Sequence, residues 1–206
     1  MDRAWRVIVP LRLSDAKTRM SAQPAPRRRE LAVAMALDVI AAARTCPVVA
    51  EVVLVADPAG AEAVEASGAA PDALVADPGE GLNAAIRAGA AGSSGPVAAL
   101  LADVPCATPD ALLLVLSACV DDTLIVSDAE GIGTTLLAAC DTGRLDPRFG
   151  PRSRAAHVAA GALDLPDPFP GALAGLRRDV DSDVDLWDAQ RLGIGDFTGA
   201  VLDLPG

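Results

Sequence analysis

Pro96-Val97-Ala98-Ala99-Leu100-Leu101-Ala102-Asp103-Val104-Pro105 is the stretch whose reading decides the fold. A continuous apolar run of this length predicts a strand buried on both faces, as in the middle of a parallel sheet, and Pro105 marks where pairing ends. Asp103 then stands at the carboxyl end of a central strand, where open α/β sheets hold their ligands. Asp is also a common turn residue, so this acid alone does not establish a site. A second acidic strand end, Asp179-Val180-Asp181, moves the balance toward carboxylates that hold a metal.

Working outward, Trp5 to Pro10 is a β-branched run suited to a first central strand. It leads into a loop carrying Arg12, Lys17 and Arg19. The loop lacks the glycines of a Walker-type phosphate loop, so side chains rather than backbone amides would have to meet an anion there. Apolar residues recur with helical spacing from Arg27 to Thr45 and stop before Pro47. Val52 to Ala56 predicts a strand, 59–67 a helix, Leu74 to Ala76 a short strand, and 84–91 a helix. The turn before that last helix, Asp77-Pro78-Gly79-Glu80-Gly81-Leu82-Asn83, has two glycines that let backbone approach a flat ligand, and Asn83 offers donors and acceptors.

Beyond the central strand, Thr108-Pro109-Asp110 is a helix start with a capping Thr, Pro in the first turn and an acid at the positive end of the dipole. Leu124 to Val126 predicts a strand, followed by a glycine turn, Gly131-Ile132-Gly133-Thr134-Thr135, opening into 136–139. Arg144, Arg148, Arg152 and Arg154 crowd one segment of an acidic chain, which is an anion-binding signal equally consistent with a solvated loop. Ser153 is expected to cap a helix over 154–160, placing amides and a hydroxyl where a phosphate or carboxylate could dock. A strand over 173–180 is expected to feed Asp179 and Asp181, with Ser182 and Asp185 forming a capping box for the next helix. Counted as a calcium loop from Asp179, the sixth and twelfth positions are Val184 and Gln190, which excludes that motif. The alternation of strands and helices predicts a single three-layer α/β/α domain over 1–206, Rossmann-like, with a mostly parallel mixed sheet.

Composition narrows the function. The formal charge of −11, with two Trp, three Phe and no Tyr, excludes a nucleic-acid surface, which needs a basic stripe and stacking platforms. Four scattered cysteines, Cys46, Cys106, Cys119 and Cys140, form no C-x-x-C and suit buried thiols in a reducing cytoplasm. No stretch has the length of a membrane span. Two carboxylate sites, a basic loop and an arginine cluster describe a cleft for Mg²⁺ and polyphosphate. His157 is the sole histidine and has no nucleophile beside it. A reaction without a general base is therefore preferred, such as attack by an ionised phosphate on an activated phosphoryl centre.

In pattern and order the chain resembles the guanylyltransferases of deazaflavin coenzyme F(420) biosynthesis, within the MobA-like nucleotidyltransferase superfamily. The resemblance rests on Ala16 to Met20, Asp77 to Asn83, Ala102 to Pro105, Gly131 to Thr134, Pro147 to Pro151 with Ser153 and His157, and Asp179 to Asp181. It implies transfer of GMP from GTP to phosphoenolpyruvate or 2-phospho-L-lactate with release of pyrophosphate. It further implies catalytic roles for Lys17, Asp103 and Asp179, Mg²⁺ held by Asp103, Asp179 and Asp181, and triphosphate bound by Lys17 and Arg19. Guanine would be received by Gly79, Gly81 and Asn83, and the acceptor acid by Thr134, Gly150 and Ser153, with Thr135 the alternative to Thr134. Where the family usually has lysine this chain has Leu11, with Arg12 adjacent. Another nucleotidyltransferase of the superfamily, a nucleotide-sugar glycosyltransferase, or a GTP-binding sensor without turnover are the alternative readings.

Overall fold

The structure, a computed structural model, describes residues 4–14, 23–69 and 71–203. In chain order the elements are β1 (Trp5–Leu11), α1 (Ala25–Thr45), β2 (Val49–Ala56), α2 (Pro58–Ala66), β3 (Ala73–Ala76), α3 (Leu82–Ala90), β4 (Val97–Leu100) and α4 (Pro109–Ala118). There follow β5 (Thr123–Ser127), β6 (Thr134–Ala139), a 3₁₀ turn at Thr142–Arg144, α5 (Ser153–Ala159), β7 (Leu163–Asp164), α6 (Ala174–Arg177), α7 (Asp183–Leu192) and α8 (Asp196–Asp203). One seven-stranded sheet runs β3-β2-β1-β4-β6-β5-β7. β1 pairs in parallel with β2 and β4, whereas β6 lies antiparallel to both β4 and β5. The mostly parallel mixed sheet expected from the sequence is present.

The apolar run at 97–100 is central because both of its faces are covered. Ala98 and Leu100 join the core under α1 and α4, while Val97 and Ala99 face the core under α3. On the second face Gly89 is required by contact: a Cβ there would meet Ile8 Cγ2 at 2.6 Å and Val55 Cγ2 at 2.8 Å. That close approach seats α3 on β1 and β2 and fixes the turn that precedes it. Thr108 caps α4 by accepting from the Ala111 amide, as its sequence predicts.

The structure corrects two expectations. Residues 173–180 form no strand; α6 occupies 174–177 and Asp179 follows in an irregular link. Leu173 and Leu176, three apart, are both fully buried, and Gly175 lies on the Cys106 carbonyl so closely that a Cβ would be 2.2 Å from its oxygen. Helical spacing against a backbone neighbour outweighs the apparent strand pattern. Ser153 is likewise not the cap of α5 but its first residue, preceded by Arg152 in the left-handed region at φ 58° with no side-chain capping bond. The sequence reading also omits β7 and α8. The start of α8 is held by Asp38 of α1, whose carboxylate accepts from the Phe197 and Thr198 amides, both at 2.9 Å. Among the described residues no helix is long and apolar enough to cross a membrane.

Candidate active site

At the carboxyl end of β4 the Leu101 amide donates to the Thr135 carbonyl, and the chain turns through Asp103. The Asp103 carbonyl oxygen then accepts from the Val180 amide at 2.9 Å, which brings the Asp179-Val180-Asp181 link against the central strand. Burial, and next the charges of Asp103, Asp181 and Asp128, push the Asp179 carboxyl up to about 7. Acids from three distant parts of the chain are therefore brought within electrostatic reach of one another around Asp179. The capping box of α7 secures this link, since Asp185 Oδ2 accepts from the amides of Asp181 at 3.2 Å and Ser182 at 2.8 Å. Arg178 braces it from outside through Asp185, Asp188 and Glu130.

Asp128 is the acid that the sequence reading missed. Its carboxylate accepts from the Ile132 amide at 2.8 Å and the Gly133 amide at 2.6 Å, closing the glycine turn. A Cβ at Gly133 would lie 2.4 Å from Asp128 Oδ2, so the glycine is there to admit the carboxylate. An acid followed by a glycine turn was the available signal. Among the described residues no three His, Cys, Asp or Glu side chains gather closely enough to hold an ion by themselves. Mg²⁺ does not need that, because it binds through one or two carboxylates completed by water and substrate phosphate. Half-buried acids whose charges raise the proton affinity of Asp179 are a donor set that suits a divalent cation.

The basic loop has one described root. Asp57 caps α2 through the Gly60 amide and also accepts from the amides of Leu13 and Ser14. Burial opposes its charge, but those three amides outweigh it and hold the Asp57 carboxyl below the usual range. Leu11 is buried at the end of β1, and Arg12 pairs with Asp77 at 2.9 Å. Lys17 and Arg19 lie outside the described residues.

Asp77 in turn accepts from the Gly79 amide at 2.8 Å and shapes the Pro-Gly turn. Gly79 and Gly81 have φ of 80° and 92°, conformations that favour glycine, and the space where side chains would stand is open. A hollow of about 220 Å³ bounded by Pro10, Leu11, Arg12, Asp77, Leu82 and Ala85 adjoins this turn. Asn83 is engaged elsewhere, with the backbone of Phe149 in both directions.

Across the seam between β4 and β6, Thr134 and Thr135 begin β6 rather than lying in the glycine turn. The two hydroxyls have different partners: Thr135 Oγ1 donates to the Val126 carbonyl, while Thr134 Oγ1 meets His157 Nδ1 at 3.0 Å. The Arg148 amide donates to His157 Nε2 at 2.9 Å, and the Phe149 ring stands edge-on to the imidazole. Gly150 has φ 141° with open space above it, and its carbonyl accepts from the amide of buried Ser153. The arginine cluster is partly spent on the protein itself: Arg148 on Asp146, Arg154 on Asp164, and Arg144 on the Asp121 carbonyl. A larger hollow of about 850 Å³ between α1, α2 and α8 is lined mainly by Ala, Leu, Val and Phe, away from the converging acids.

Residues 5–160 match the family described as guanylyl transferase CofC like. The chain is 44% identical over 209 residues to the phosphoenolpyruvate guanylyltransferase of Salinispora arenicola, covering 98% of this chain and 94% of that protein. Its fold is similar to a nucleotidyl transferase from Methanothermobacter (TM-score 0.65, 17% identity, 92% of this chain and 97% of the other). It is also similar to Rv0371c of Mycobacterium tuberculosis, solved in complex with manganese (TM-score 0.54, 19% identity, 93% and 98%).

Proposed function

Since the chain belongs to the CofC-like guanylyl transferase family, we propose that it moves GMP from GTP onto phosphoenolpyruvate, releasing pyrophosphate. An ionised phosphate oxygen of the acceptor attacks the α-phosphorus of GTP; the new P–O bond forms as the bond from that phosphorus to the bridging oxygen breaks, and pyrophosphate departs. The attacking oxygen carries no proton, so no base is required, in keeping with the absence of any role for the sole histidine in proton removal. Such transfers depend on positioning and charge neutralisation.

The observation that carries the reading is the Val180–Asp103 backbone bond at 2.9 Å, which sets the Asp179 link beside the end of β4. Asp103 and Asp179, with Asp181, would hold Mg²⁺, and the ion supplies neutralisation of the phosphate oxygens. Lys17 and Arg19 bind the triphosphate, and the Gly79 to Asn83 turn with its hollow receives guanine. Thr134, Gly150 and Ser153 hold the acceptor. The name of the Salinispora relative favours phosphoenolpyruvate over 2-phospho-L-lactate.

The test is pyrophosphate release with each nucleoside triphosphate in turn, Mg²⁺, and either phospho-acid. GTP with phosphoenolpyruvate should give the fastest release and a guanylylated product by mass spectrometry. Preference for CTP, or release that ignores the acceptor, would sink the proposal.

A further inference from the structure

We propose that His157 is a positioning residue that turns the Thr134 hydroxyl into a hydrogen-bond donor for the acceptor acid. This rests on the functional reading above, and deepens it at the acceptor side.

A backbone N–H only donates, so the His157 Nε2 that receives the Arg148 amide at 2.9 Å carries no proton. A neutral imidazole then has its one proton on Nδ1. Nδ1 lies 3.0 Å from Thr134 Oγ1, and the hydroxyl oxygen must be the acceptor of that contact. Its own proton is thereby directed to some other acceptor. Thr135 is the opposite case, since its hydroxyl proton is spent on the Val126 carbonyl within the sheet. Of the adjacent threonines, Thr134 is therefore the one able to donate to an anionic ligand.

The surroundings keep the ring neutral. His157 is 1% exposed. Burial chiefly, and then the Arg148 charge, lower its proton affinity, against the raising effects of Asp146 and of the Ser153 carbonyl. Arg144 also lines the small hollow of about 30 Å³ beside the ring. A second proton would enter at Nε2 and face the Arg148 N–H, setting donor against donor and releasing the segment that leads into Gly150. Because the ring holds its second proton less tightly than a free imidazole, acceptor binding should fail in acid before GTP binding does.

Because the chain has one histidine, long-range ¹H–¹⁵N spectra of the wild-type protein report this ring without ambiguity. The expected result is a protonated Nδ1 and bare Nε2 at pH 8, with a titration midpoint below 6.5. An Nε2–H tautomer, or a midpoint above 6.5, overturns the proposal. Steady-state kinetics supply the second arm. His157→Gln keeps an acceptor near the Nε2 position but loses the donor to Thr134, so the acceptor KM should rise tenfold or more while the GTP KM stays within twofold. Thr134→Val should match it and Thr134→Ser should restore most of the wild-type value. Equal changes in both Michaelis constants, or an unchanged acceptor KM in Thr134→Val, overturn the proposal even if His157→Gln does not fold. Wild-type protein with the expected spectra but no transfer to either phospho-acid instead overturns the functional reading, and the donor assignment to the acceptor with it.

Discussion

Asn83 and Phe149, 66 positions apart, are joined twice: the Asn83 Nδ2 donates to the Phe149 carbonyl at 2.9 Å, and its Oδ1 accepts from the Phe149 amide at 2.8 Å. A side-chain amide thus behaves as one more rung of backbone, tying the start of α3 to the segment before Gly150. The residue expected to touch guanine is spending two of its hydrogen-bonding groups on the segment proposed to hold the acceptor, with one N–H to spare.

Replacing Asn83 by Ala should therefore raise the acceptor KM more than the GTP KM. It should also lower stability by about 2 kcal/mol, since two half-buried backbone groups lose their partners. Urea unfolding and separate titration of each substrate measure both. A larger effect on GTP would return Asn83 to the base-binding role.

Asp103→Asn should reduce turnover by about 100-fold or more, with the urea midpoint little changed, because one of the charges gathered for the cation is gone while the backbone bond to Val180 persists. A rate within a factor of about three of wild type would remove this carboxylate from the chemistry.

Asp179 supplies the pH prediction. Its folded value of about 7 lies above the ordinary 3.8, so the folded state holds the proton more tightly than the unfolded chain. Its contribution to stability is fully present below 3.8 and is lost as pH rises toward 7. In metal-free protein the melting temperature of wild type, relative to Asp179→Asn, should fall with rising pH across this window. Added Mg²⁺ should restore stability at neutral pH. No pH-dependent difference between the two proteins would mean that the acids do not crowd one another.

Asp57 works in the other direction. Its carboxyl is held low by the Gly60, Leu13 and Ser14 amides, so its contribution is present above 3.8 and lost as pH falls through the depressed value. Asp57→Ala should cost about 1–2 kcal/mol as a lost cap. It should also raise the GTP KM, because the same carboxylate anchors the root of the basic loop; an unchanged GTP KM would confine Asp57 to capping.

Much of this architecture could be read from residue order. The apolar run at 97–100, the Thr108 cap and the Ser182–Asp185 box each act locally, and each stands as expected. What escaped was set by partners distant in sequence. Residues 173–180 read as a strand because nothing in them announces that Gly175 must lie on the Cys106 carbonyl. The start of α8 depends on Asp38, some 160 residues earlier. Of the candidate site, Asp103 and the Asp179 to Asp181 link do meet, although through a backbone bond rather than between two strand ends. Asp128 carried a signal in the glycine turn that follows it, whereas the Asn83–Phe149 tie carried none, since a single Asn takes its meaning from the distant backbone it finds.

The reversed direction of β6 divides the sheet into two workshops under one roof. On one side of it β3-β2-β1-β4 carry the Gly79 to Asn83 turn and the root of the basic loop, while β6 and the strands beyond it, β5 and β7, carry Thr134 and the segment around Gly150. Under the proposed function, a lineage could remodel the second set, and with it the choice of acid, while the proposed grip on the nucleotide stays as it was. The constraint on such drift, or on a deliberate chimera spliced along that seam, is to keep the few stitches that cross it, above all Asn83 to Phe149 and Asp103 to Val180.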